Sequence, residues 1–227
     1  MSFAGFTPDT FSFLAGLVHN NEKSWFEAHR EDYQKFVVEP ALALIADLDE
    51  VVRGISPHYR GVAKKAGGSL MRIHRDVRFG HDKTPYKTNI GIQFRHVRAQ
   101  DVHAPGYYVH LDLQECFVGA GCWRPEPADL RSMRQSLAAR PQVYLDAVAR
   151  ARHSALVPAG DSAVRVPAGF DPDHPALAEI KRKDYLVSAD LDPQTFLGPG
   201  LVDLLAVKFR DGAPYMSWLC HSLGIEF

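Results

Sequence analysis

In one central stretch of this chain the apolar residues recur at every second position, and on both sides of it they recur every three or four. "SLMRIH" sets Met71 and Ile73 against Arg72 and His74, and "NIGIQFRHV" sets Ile90, Ile92 and Phe94 against Gly91, Gln93 and Arg95. "GYYVHLDL" then places Val109, Leu111 and Leu113 opposite Tyr108, His110 and Asp112, and "ECFVGAGCW" follows after a tight turn. Successive side chains leave a strand on opposite sides, so this alternation with short connections specifies an antiparallel sheet with one apolar face. That face must be covered.

Helices on either side supply the cover. Thr7, Pro8 and Asp9 start a first helix, and Phe11, Leu14, Ala15 and Val18 form its apolar stripe. A second helix from about Ser24 buries Trp25, Phe26, His29, Tyr33, Phe36 and Val37, and Pro40 either kinks it or opens a third through Leu44, Ile45, Leu48 and Val52. After the strands, Leu130, Met133 and Leu137 share one helical face, and Pro141 suits another first turn. An irregular stretch from His153 to Pro175 leads to "KRKDYLVSADL", a short helix end feeding one more strand. Amphipathic helices built on Leu201, Leu204, Leu205, Tyr215, Trp218 and Leu219 close the chain. Helices, sheet, then helices predict an α+β fold: a mostly antiparallel central sheet flanked by N-terminal and C-terminal helices, in one domain over residues 1–227.

"MSFAGFTPDT" lacks the charge and apolar pattern of a leader, and nowhere do about eighteen apolar residues run together. The expected location is cytoplasmic, with no membrane attachment. Cys116, Cys122 and Cys220 form no CxxC pair and are odd in number, which favours buried thiols over a disulfide framework.

Charge is distributed unevenly. The formal net charge is −1, yet from Arg60 to Arg98 ten Lys and Arg face only Asp76 and Asp82, a local +8 that leaves −9 on the remainder. Clustered like charge lowers stability unless something negative meets it, either a ligand or the acidic remainder of the chain. "RIHRDVRFGHDKTPYKTNIG", residues 72 to 91, concentrates the imbalance. Guanidinium forks match carboxylate and phosphate oxygens, and ammonium groups add mobile point charge. Arg72, Arg75, Arg78, Lys83, Tyr86 and Lys87 are therefore candidate ligand-binding residues for a phosphate, nucleotide or polycarboxylate. Asp76 orients a guanidinium, or acts as a general base where burial raises its pKa.

The pattern RxxRDxRFxxxKxPYKxxxG resembles, at all ten fixed positions, the signature of an uncharacterised bacterial family of conserved hypothetical proteins with a domain of unknown function. "SWFEAHREDY", "FVGAGCWRPEP" and the stretch from "GFDPDHP" to "KRKDYLV" are similar too, so the resemblance spans nearly the whole chain. It implies one intact domain and brings no reaction with it.

Two other readings stand beside an anion site. Phe79, Tyr86, Tyr107 and Tyr108, interleaved with cations, suit a nucleic-acid-binding module, although the net charge lacks the broad basic surface of a dedicated binder. Alternatively the motif is scaffold in an interaction protein: Arg75, Asp76 and Arg78 form an ion-pair network, and Arg72 and Lys87 pair with carboxylates of the acidic helices. The glycines of "AGGS" and "GAG" lack phosphate-loop spacing. Among eleven histidines there is no HxH, HExxH or Cys/His spacing; His110 and Asp112 offer two ligands on one face, but single strand histidines usually pack. The reading is no metal and no cofactor, with His110 kept as a candidate acid or base near the cationic loop. No GxSxG elbow or paired cysteine supports a nucleophile. The residues specify a ligand class and leave the reaction unspecified.

Overall fold

Pro8 opens α1 (Pro8–His19), which buries Thr10, Phe13, Leu14 and Leu17; the computed structural model describes residues 2–78, 82–98 and 104–227. After α2 (Lys23–Ala28) and the single turn of α3 (Arg30–Tyr33), the backbone passes through a π-turn at Gln34–Val38 straight into α4 (Glu39–Ile55). Pro40 explains the widened turn. It has no N–H for the carbonyl four residues back, that of Phe36, and its ring crowds the same turn. The Thr10 hydroxyl supplies the missing donor, reaching the Phe36 oxygen at 2.7 Å while accepting from the Thr7 N–H at 3.2 Å. One buried hydroxyl thus caps α1 and ties it to the longer helix. The proline produces a bulge rather than a restart.

The strands are β1 (Tyr59–Arg60), β2 (Ile90–His96), β3 (Gly106–Leu111), β4 (Cys116–Cys122), β5 (Val157–Ala159) and β6 (Tyr185–Asp190). They form one antiparallel sheet in the order β1-β2-β3-β4-β6-β5. β2, β3, β4 and β6 fall where the sequence predicts them. β1 and β5 are too short to show a period, and Pro158 suits the edge position of β5. "SLMRIH" contributes only isolated bridges, Leu70 with Ile92 and His74 with Tyr86.

Ile90, Ile92 and Phe94 stand opposite Leu111, Val109 and Tyr107, which in turn meet Cys116, Val118 and Ala120. All are buried. Following α5 (Pro127–Ala139), α6 (Pro141–Ala151) and α7 (Leu177–Ile180), the long α8 (Leu201–Ser222) packs against α4, α6 and β4. Its Phe209 ring lies 5.6 Å from that of Phe94 and 4.7 Å from that of Tyr107. Gly212 faces β4, where a Cβ would come into ordinary van der Waals contact with the Ala120 side chain at 3.5 Å. Pro214 lies inside this helix, where a proline costs about 3 kcal/mol. Beyond it Tyr215, Met216, Trp218 and Leu219 are buried, each side chain contributing about 1.5–3 kcal/mol. Packing outweighs the proline, and one continuous helix runs where the sequence suggests more than one.

The architecture is therefore α+β, an antiparallel sheet with N-terminal helices and a C-terminal helix packed against it. Cys116, Cys122 and Cys220 are buried free thiols. Among the described residues no helix is long and apolar enough to cross a membrane.

Thr10→Val keeps the shape of the side chain and removes the donor. It is expected to lower stability by about 1–3 kcal/mol in urea unfolding, the cost of an unsatisfied buried carbonyl. An unchanged midpoint would show that the Phe36 carbonyl has another donor.

Candidate functional site

The cationic motif forms a two-stranded arm at the edge of β2. The Met71 N–H donates to the Gly91 carbonyl at 2.9 Å, the Lys87 N–H to Ile73 at 2.7 Å and the Arg75 N–H to Pro85 at 2.9 Å. Asn21 clamps the arm from the far side with its amide: Oδ1 accepts from the Tyr86 N–H and Nδ2 donates to the Tyr86 carbonyl, both at 3.0 Å. The Tyr86 ring, 3% exposed, stacks on Phe26 at 4.2 Å, and the charged groups that act on it are Glu27 and Arg30. Its geometry is that of an anchor.

The arm's cations fall into two groups. Arg78 forks onto Asp76 through Nε to Oδ1 at 2.9 Å and Nη2 to Oδ2 at 2.7 Å. Those side-chain bonds, first among the causes, hold the Asp76 carboxyl well below the usual carboxylate range. Asp76 is thus an acceptor that orients a guanidinium, and its carboxyl is not buried in the way that would raise its pKa. Arg75 Nη1 donates to the Asp82 carboxylate and to Thr84 Oγ1, the latter at 2.8 Å, and Lys83 Nζ donates to the Val77 carbonyl at 2.8 Å. These partners lie within the loop itself, not on the acidic helices. The ion pairs are exposed, so they shape the loop and add little stability.

Arg72 and Lys87 make up the second group. Among the described residues no carboxylate pairs with either. Lys87 is half-buried, and burial first, then the nearby Arg72 and Arg75, pushes its pKa below that of an ordinary lysine. Phe79 lies outside the described residues. Of the other aromatic residues considered for base stacking, Tyr86 and Tyr107 are buried and Tyr108 is half-buried.

His110 stands opposite Gly91 across the β2–β3 pair. A Cβ at Gly91 would fall 2.7 Å from the Tyr108 hydroxyl, so the glycine makes room for that group, which lies 3.0 Å from His110 Nδ1. Burial, reinforced by Asp112 and Glu115, pushes the Tyr108 hydroxyl up to about 12. Asn89 Nδ2 is 3.5 Å from the same ring nitrogen, and the imidazole stacks on Phe117 with centroids 4.6 Å apart. The motif therefore reaches His110 through Asn89 and Gly91, not through its cations. Asn21, Asn89 and Tyr108 carry this arrangement without any local signal in the sequence; each acquires its role from a partner in another element.

Residues 9–218 match the family described as Conserved hypothetical protein (DUF2461). The chain belongs to that family. The DUF2461 match takes in all six strands, the arm and the His110 group, so the site lies within the family's domain. No curated protein and no solved structure matches the chain.

Asn21→Ala removes both hydrogen bonds to Tyr86 while leaving the stacked ring. Hydrogen exchange of the Tyr86 amide is expected to accelerate about fivefold to 150-fold, matching a local loss of about 1–3 kcal/mol. Unchanged exchange would mean that the ladder to residues 73–75 holds the arm unaided.

Proposed function

We propose that this protein binds a phosphorylated or otherwise anionic small molecule at the arm, with Arg72 and Lys87 as the contacting cations and Arg75 contributing to their field. The observation that carries this reading is Lys87, a half-buried ammonium beside two guanidiniums with no carboxylate pairing with it among the described residues. Like charges gathered in this way raise the energy of the protonated lysine, and an anion arriving from solution relieves it. Arg78–Asp76 and Arg75–Asp82 set the shape of the loop around that position. The role is binding, and no acid or base is assigned. A metabolite ligand of this kind fits the cytoplasmic location expected from the sequence.

Burial and the neighbouring guanidiniums depress the Lys87 pKa. The folded state penalises the charged form, so the penalty is present at neutral pH and fades as pH rises through the lowered pKa. Lys87→Met is accordingly expected to hold or raise the melting temperature of the free protein. Wild type is to be screened by thermal shift against inorganic phosphate, nucleotides, sugar phosphates, polyphosphate and dicarboxylates. A ligand at about 100 times its Kd adds about 2.7 kcal/mol, a rise of roughly 5–10 °C for a chain of this size. The rise is expected to vanish in Lys87→Met. No shift from any anion, together with a lower melting temperature for the variant, would make the lysine scaffold and overturn the reading.

A further inference from the structure

His110 is held from two sides. Its ring stacks on Phe117 within 11° of parallel, and Nδ1 lies 3.0 Å from the Tyr108 hydroxyl. Asn89 Nδ2 faces the same nitrogen at 3.5 Å, longer than the tyrosine contact; in the tautomer in which Nδ1–H donates to the tyrosine oxygen, Nε2 presents its lone pair. That atom is shielded from solvent and, among the described residues, has no hydrogen-bond partner. The nearest carboxylate oxygen, Asp112 Oδ2, is 3.5 Å away, too far for a good hydrogen bond.

The acidic side is built as deliberately. Asp112 Oδ1 accepts from the Gln114 and Glu115 N–H groups at 2.6 and 2.7 Å, which fixes the turn after β3 and leaves Oδ2 facing the imidazole. Glu115 completes the set: one ligand atom each from His110, Asp112 and Glu115 lies within 4.8 Å of the others. Donors about 2.0–2.2 Å from a tetrahedral ion stand about 3.3–3.6 Å apart, so these side chains close by up to about 1.5 Å around an ion, a movement open to the exposed Glu115. Glu115 is exposed at the mouth, so a bound ion keeps positions open to water.

We propose that His110, Asp112 and Glu115 form a divalent metal site, independent of the anion reading, for a first-row transition ion. One imidazole and two carboxylates suit Zn²⁺, Mn²⁺ or Fe²⁺ better than soft Cu⁺, and the imidazole disfavours Mg²⁺. The rival arrangement is a simple His–Asp ion pair. Nε2 and Asp112 Oδ2 stand within ion-pair reach at 3.5 Å, but that pair makes no good hydrogen bond and does not use Glu115, so the response to Glu115→Gln separates the two. Tyr108 acts as a positioning residue through Nδ1.

The test is calorimetric titration of the full chain, stripped with chelator, using ZnCl₂ and MnCl₂. Eleven histidines make weak adventitious zinc binding certain, so the variants decide. One tight equivalent is expected in wild type, weakened at least about tenfold in His110→Gln, Asp112→Asn and Glu115→Gln, and about tenfold in Tyr108→Phe. Glu115→Gln changes an exposed side chain, so its result holds even where a buried variant folds poorly. Absence of a one-equivalent site in wild type, or an affinity unchanged by Glu115→Gln and His110→Gln, would overturn the proposal. The anion screen, run on the same stripped protein, stands or fails separately.

Discussion

The pairing of Phe94 with Tyr107 across β2 and β3 is the constraint from which the remaining geometry follows. Phe209 of α8 packs against both rings, and a slip of one residue would turn Ile90, Ile92 and Phe94 to the other face and bring Gln93 and Arg95 under the helix. The core therefore fixes the register. That register, in turn, sets Gly91 opposite His110 and leaves the Tyr108 hydroxyl the space beside it. Apolar packing on one face of the sheet places the polar groups on the other.

Elements with a sustained period were legible in the sequence, and those without one were not. Seven residues of alternation sufficed for β2 and β4, whereas β1 and β5 exist because longer neighbours offer them an edge. The sequence suggests more than one C-terminal helix, and the buried side chains on both sides of Pro214 hold a single one. The Asp76–Arg78 pair is visible from its two-residue spacing, but Arg75 finds Asp82 only once the loop closes. Tyr86 reads as a ligand donor beside so many cations, and the stacking of its ring on Phe26, sixty positions earlier, has no local signal in the sequence. Glu115 escapes notice because its partners, His110 and Asp112, precede a turn that brings it back toward them.

Charge balance in this chain is local. Among the described residues the −9 of the remainder does not settle on the arm as ion pairs to Arg72 and Lys87; the pairs described there use Asp76 and Asp82 from the same loop. The loop's own acids shape its paired cations and leave the electrostatic cost at Lys87 uncompensated.

The Asn21 clamp has a consequence for the solubility of the fold. His74 and Tyr86 face each other as a pair whose own N–H and C=O groups point away from the partner strand, so Tyr86 presents a bare peptide edge on its outer side. Such an edge is a template for a strand from another molecule. Asn21 fills it with a side chain that donates and accepts as a peptide does, over the length of one residue and no more. The protein closes its own edge with a neighbour too short to propagate.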